Sequence, residues 1–217
     1  MYKRQVYKHG AAVYTVKSDA HIDLTEGGGD IEFTLADASL EFATGTVHLE
    51  NGSNLVVNTG NAAITAKGII GTSYENVTLT TTGTTTVGTG GIGTGTTIED
   101  VSLDGTSIVL KGNITTAGTG SDPAGVGDID FDGAVTIDGA ITITSDVTGT
   151  ANDGKIDFAT NTINAEGNDT DSLTLLSGSG AITVGTIGVT TPLDALSINA
   201  SGSAASALTI KQIGTFA

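Results

Sequence analysis

The chain contains no cysteine, no tryptophan and only two prolines in 217 residues, and 8 basic residues stand against 24 acidic ones. Without cysteine there is neither a disulfide-stapled scaffold nor a zinc–thiolate site. A net charge of −16 argues against nucleic acid as a partner, because phosphate binding is led by Lys and Arg. Charged residues are 15% and aromatics 4%, a poor composition for a helical bundle. No apolar run approaches the roughly 20 residues that a membrane-spanning helix needs, so no membrane span is expected. What the chain does have is 32 glycines, still more threonines, and 38% hydrophobic residues. Val, Ile and Leu are too common and too regularly placed for a disordered tail. The length suits one domain of ordinary size or a stretch of a longer repeat array.

The first five residues are set apart. Met1-Tyr2-Lys3-Arg4-Gln5 is what GTG-TAT-AAG-AGA-CAG encodes when GTG serves as the start codon. That string matches the end of a common transposase-based sequencing adaptor, so residues 1–5 are expected to be a sequencing or translation artefact. Residues 6–217 are then read as a single repeat domain, a fragment of a longer protein. Setting aside Lys3 and Arg4 leaves 6 basic residues, a net charge of −18 and no arginine.

Apolar-polar-apolar triplets recur along the chain. They include Ile22-Asp23-Leu24, Ile31-Glu32-Phe33, Leu40-Glu41-Phe42, Val47-His48-Leu49, Leu55-Val56-Val57, Ile64-Thr65-Ala66 and Val77-Thr78-Leu79. The first six start 9, 9, 7, 8 and 9 residues apart. Such alternation sends the outer two side chains to one face of a strand and the middle one to the other. Gly, Asn, Asp, Ser and Thr between the triplets supply turns. No segment holds a helical apolar period, and Gly with β-branched residues disfavours helix.

A longer period is superimposed. Gly127-Asp128-Ile129-Asp130-Phe131 is echoed by Gly154-Lys155-Ile156-Asp157-Phe158 after 27 residues, by Gly180-Ala181-Ile182-Thr183-Val184 after 26, and by Ser206-Ala207-Leu208-Thr209-Ile210 after 26 more. Gly29-Asp30-Ile31-Glu32-Phe33 is an early relative. A second echo joins 87–93 to 184–188, and it makes the Gly/Thr stretch 80–97 a coil with small side chains rather than a linker. Three short strands per coil of about 26 residues predict an all-β fold, a parallel β-helix (β-solenoid) whose coils stack about 4.8 Å apart. Phe33, Phe42, Phe131 and Phe158 each end an apolar triplet, where they either stack between coils or fill wide corners. One or two immunoglobulin-type sandwiches would need longer, less closely spaced strands.

The repeats from Gly127 to Ile210, extended back to Ile22, resemble repeat regions of large bacterial surface proteins. These are the filamentous-haemagglutinin-like adhesins, autotransporter passengers and other β-strand-repeat exoproteins. The resemblance implies an extracellular, cell-surface location and a stalk or adhesive role without catalysis. It also implies a glycan or protein surface in the host or environment as partner, and neighbouring repeats of the same parent chain. It carries over no catalytic residue.

Motifs for chemistry are sparse. Asp128-x-Asp130-x-Asp132 is the densest carboxylate cluster, and hard oxygen ligands of this kind suit Ca²⁺; alternate acids are also what a solvated strand face carries, so the expectation is no cofactor, with Ca²⁺ at this trio as the alternative. A β-helix enzyme acting on polysaccharide is the enzyme alternative, since a glycosidase needs only two carboxylates roughly 5–10 Å apart. With no arginine and Lys67, Lys111, Lys155 and Lys211 scattered, the reading favours a non-enzyme. The Thr runs 80–82 and 84–86 and the alternating Ile141-Thr142-Ile143-Thr144 raise a third possibility, a Thr-rich ice-binding solenoid. Loops 117–127 and 164–172 interrupt the repeat and are the expected places for recognition.

Overall fold

The computed structural model describes residues 5–9, 14–15, 20–23, 29–42, 44–95, 98–117, 127–145, 153–167, 170–200 and 208–214, with side chains from residue 29 onward. Residues 1–4 of the segment read as foreign, 118–126 of the first candidate loop and 168–169 of the second lie outside them. Every described element is a β-strand, and every pairing between strands is parallel. The pairings sort into three columns, the three faces of a β-solenoid.

The first face runs through Gly29–Leu35, Ser53–Asn58, Glu75–Thr80 and the first halves of Ile98–Leu110 and Ile129–Ile137, then Ile156–Asp157 and the starts of Ile182–Ile187 and Leu208–Ile213. The second links Leu40–Phe42, the starts of Ile64–Ile70 and Thr84–Ile92, the ends of the two long strands, and Thr162–Ala165. The third links Val47–Glu50, the ends of Ile64–Ile70 and Thr84–Ile92, Ile114–Thr115, Ala140–Thr144, Ser172–Gly178 and Ala195–Ala200. Three strands per coil is therefore the observed architecture, and the pentapeptide echoes of the second half are successive rungs of one face. The stretch 80–97 is a coil and not a linker, since Thr84–Ile92 pairs with strands on both sides.

The turn length is less uniform than the expected 26. On the first face the steps Ile31, Leu55, Val77, Val101, Ile129, Ile156, Ile182, Leu208 are 24, 22, 24, 28, 27, 26 and 26 residues, about seven turns. Early corners are tight: Asn51 and Gly52 turn the chain in two left-handed residues, φ 57° and 72°. Later coils carry extra residues between the third face and the first. The echo between 87–93 and 184–188 is also shifted by one face. Val87 and Ile92 bracket the corner from the second face to the third, and Val184 and Ile187 the corner from the first to the second. The shared sequence marks a type of corner, not a coil position.

Inward side chains form ladders along the axis. At the first position of the first face stand Leu55, Val77, Val101, Ile129, Ile156 and Ile182, each at most 1% exposed. At the next inward position are Leu79, Leu103, Phe131 and Phe158. Phe131 and Phe158 stack face to face, centroids 4.3 Å apart and planes 2° from parallel, and Phe33 meets Phe42 edge-on across the interior at 6.3 Å. The first pair stacks between coils, and the second fills the width of one coil. A narrow prism admits Val, Ile, Leu and the occasional stacked Phe, which accounts for the missing tryptophan.

Candidate functional site

Outward positions of the first face carry the concentrated chemistry. The residue just before each inward apolar position is Asp30, Asn54, Asn76, Asp100 and Asp128 in successive coils. Each side chain from Asn54 on accepts a hydrogen bond from a backbone N–H of the next coil. Asn54 Oδ1 takes the Asn76 N–H at 2.9 Å, Asn76 Oδ1 the Asp100 N–H at 3.0 Å, Asp100 Oδ1 those of Gly127 and Asp128 at 2.9 Å, and Asp128 Oδ1 that of Lys155 at 2.8 Å. At the corner entering this face, these carboxylates and amides satisfy donors left over by the sheet.

Where amides give way to acids the face opens into a groove of about 330 Å³ lined by Asn76, Thr78, Asp100, Ser102, Asp128 and Asp130. Register stacks like charges there, Asp100 on Asp128, Asp104 on Asp132 and Asp130 on Asp157. Lys155 answers them, with Nζ 2.6 Å from Asp130 and 3.6 Å from Asp157. Burial pushes the Asp100 and Asp128 carboxyls above the usual carboxylate range, opposed by the backbone N–H bonds each accepts. Asp104 is raised by burial and then by the charge of Asp132. The hydrogen bond to Asp130 raises Lys155.

The predicted trio is thus on one face, as alternation requires, but it does not converge. In an extended strand, residues four apart are separated by roughly 13 Å, so Asp128 and Asp132 cannot both reach one ion. The fold brings Asp100 to Asp128 and Asp104 to Asp132. Among the described residues no group of three or more His, Cys, Asp or Glu is placed to hold a metal ion. Asp100 and Asp104 were missed in the sequence because they lie one coil away from the trio. The signal was present: aligning the coils puts an Asx residue before the first apolar position five times in succession.

The loop candidates are anchored from below. Thr116, Ser145 and Ser177 hold equivalent buried places at the end of the third face, and each hydroxyl donates to the carbonyl of the glycine opening the next coil: Gly127, Gly154 and Gly180. Those glycines stack so closely that a Cβ at Gly154 would overlap the Gly127 carbonyl, and one at Gly180 that of Gly154. In loop 164–172 the buried Asp171 carboxylate accepts the N–H of Gly139 at 2.7 Å and of Glu166 at 3.1 Å, a loop-closing role. Glu75, fully buried, does the same in an earlier coil for Thr72, Ser73 and Gly52.

The threonine runs divide between faces. Thr81 and Thr85 are buried and donate to the Ala62 and Asp104 carbonyls, whereas the strand places Thr84 and Thr86 on the second face and Thr142 and Thr144 on the third. Comparison with protein-family models, with curated proteins and with solved structures returned no match.

Proposed function

We propose that the chain is a segment of an extracellular bacterial surface protein, a stalk whose corner loops present a recognition surface. The observation behind this reading is the continuous in-register ladder of about seven turns, in which each coil repeats the apolar column and much of the corner bonding of the last. A parallel ladder of this kind resists bending and extends by adding coils. The acidic skin keeps it soluble and discourages contact along its sides. The cysteine-free composition lets it fold outside the cell without oxidative help. The test is display on a bacterial surface between an anchor and a reporter binding domain. A stalk lengthens the reach of the reporter, and an adhesive segment also binds cells to glycan- or protein-coated supports without the reporter. A display that does neither refutes the proposal.

A second reading, an enzyme acting on a neutral polysaccharide, draws on the groove, where Asp100 and Asp128 are both held above the ordinary carboxylate range. Release of reducing sugar that disappears in Asp100→Asn and Asp128→Asn would favour it over the stalk.

A further inference from the structure

One corner is built on a reactive dipeptide. Asn51-Gly52 is the single Asn-Gly pair in the sequence, and it makes the whole turn between Val47–Glu50 and Ser53–Asn58. In such a pair the glycine nitrogen can attack the Asn side chain, because no Cβ shields it. The nitrogen loses its proton and bonds to Cγ, and Nδ2 leaves as ammonia. Water then opens the cyclic imide at either carbonyl, giving aspartate or isoaspartate. Solvent reaches the site, since Asn51 is exposed.

Two features of the corner oppose that step. Asn51 is left-handed, with φ 57°. There ψ is about +47°, which turns the Gly52 nitrogen almost anti to the Asn51 Cβ. Ring closure needs the two eclipsed, so the backbone must leave this conformation first. The Gly52 N–H also donates to Glu75 Oε1 at 3.2 Å. Glu75 is fully buried one coil on, and its carboxylate accepts the Thr72 and Ser73 N–H groups at 2.8 and 2.9 Å. It fixes the turn in place and, as a negative charge, disfavours the amide anion that attack requires. From the preceding coil the Gly29 N–H donates to the Gly52 carbonyl at 3.3 Å.

We propose that Asn51 is a latent deamidation site and that Glu75 is the positioning residue that keeps it closed, so that Asn51 is modified only when this corner opens. The product cannot rebuild the corner. Isoaspartate adds a side-chain carbon to the main chain of a turn two residues long, and either product adds a negative charge to a corner assembled around a buried carboxylate. Deamidation therefore records, irreversibly, an opening of the ladder between Gly29–Leu35 and Glu75–Thr80.

Incubation of the full chain in mildly alkaline buffer tests this, with the mass gain of NH₂ exchanged for OH located at Asn51 by peptide mapping. The folded chain is expected to deamidate far more slowly than the same chain in guanidinium chloride. Glu75→Ala speeds the folded chain by about tenfold or more, the factor by which one donor left without its acceptor shifts an opening equilibrium. Glu75→Gln, which keeps an acceptor oxygen without the charge, falls between. Phe131→Ala lowers stability three coils away and leaves the Asn51 rate near that of the wild type, because coils of a linear array can open separately. A folded wild type that deamidates as fast as the denatured chain overturns the proposal. So does Glu75→Ala at the wild-type rate, or Phe131→Ala as fast as Glu75→Ala. If Glu75→Ala fails to fold, Glu75→Gln against wild type still decides, and an unchanged rate overturns the proposal.

Discussion

Replacing Phe131 with alanine removes one half of the stacked pair at the centre of the ladder. Phe131 is 2% exposed and Phe158 fully buried, and their rings lie 4.3 Å apart and parallel. The prism wall is backbone tied by hydrogen bonds to the coils above and below, so it cannot collapse far into the vacated space. A buried Phe→Ala change then costs about 3–5 kcal/mol, and stacking couples the two rings by a further ~0.5–1.5 kcal/mol. Urea unfolding of the wild type, Phe131→Ala, Phe158→Ala and the double variant measures both quantities in one cycle. Because coils of a linear array can open separately, exchange protection of the Ile129 and Ile156 amides is read alongside. A single-variant loss below about 1 kcal/mol would place the ring at the surface, where substitutions cost little. Coupling indistinguishable from zero would refute the stack, and with it the inter-coil register of the first face.

Four other outcomes follow from the corners and the acidic groove. Glu75→Ala leaves the Gly52, Thr72 and Ser73 N–H groups without their acceptor, at about 1–3 kcal/mol for each donor that water does not reach, read by urea midpoint. Asp100→Asn keeps the acceptor oxygen that Asn54 and Asn76 use at the same place and removes a charge held above its ordinary pKa. It should therefore melt higher than wild type at neutral pH and lose that advantage in acid; a lower melting temperature at neutral pH would show that the charge is needed. The sign comes from linkage: with folded-state pKa values raised, Asp100, Asp104 and Asp128 contribute stability that is full below the ordinary carboxylate value and is lost as pH rises through the folded value. Added salt should stabilise the chain by screening the Asp104–Asp132 stack and the net charge of −16, and Ca²⁺ should do no more than Na⁺ at equal ionic strength; a Ca²⁺-specific rise in Tm lost in Asp130→Asn would establish an ion site instead.

Much of this fold was legible in the sequence because its determinants are local and repeated. The triplets at Ile31, Leu40, Val47, Leu55 and Ile64 fall on the first, second, third, first and second faces in turn. The pentapeptides at 127, 154 and 180 open consecutive rungs of one face. What the linear pattern did not supply was which polar residues meet across coils. Asp128, Asp130 and Asp132 are neighbours in sequence, yet the groups they meet are Asp100, Lys155 and Asp104 on adjacent rungs, 25 to 28 positions away. Glu75 was likewise invisible: one acid after a Ser-Tyr corner carries no periodic signal, and only the folded corner shows three donors converging on it. The echo between 87–93 and 184–188 shows the converse limit. Similar corners recur between different pairs of faces, so local similarity does not fix phase.

The most direct test of the three-faced parallel ladder uses the absence of cysteine, which allows spin labels at chosen pairs alone. Val56, Thr78, Ser102, Asp130, Asp157 and Thr183 form one outward line on the first face. Labels at Thr78 and Thr183 span four coil steps, and labels at Val56 and Thr183 span five, or backbone separations of about 19 Å and 24 Å. Double electron–electron resonance on the two pairs should give narrow distributions whose centres differ by about one coil spacing, near 4.8 Å. Broad distributions, or a Val56–Thr183 separation equal to or shorter than that of Thr78–Thr183, would contradict the stacked-coil architecture.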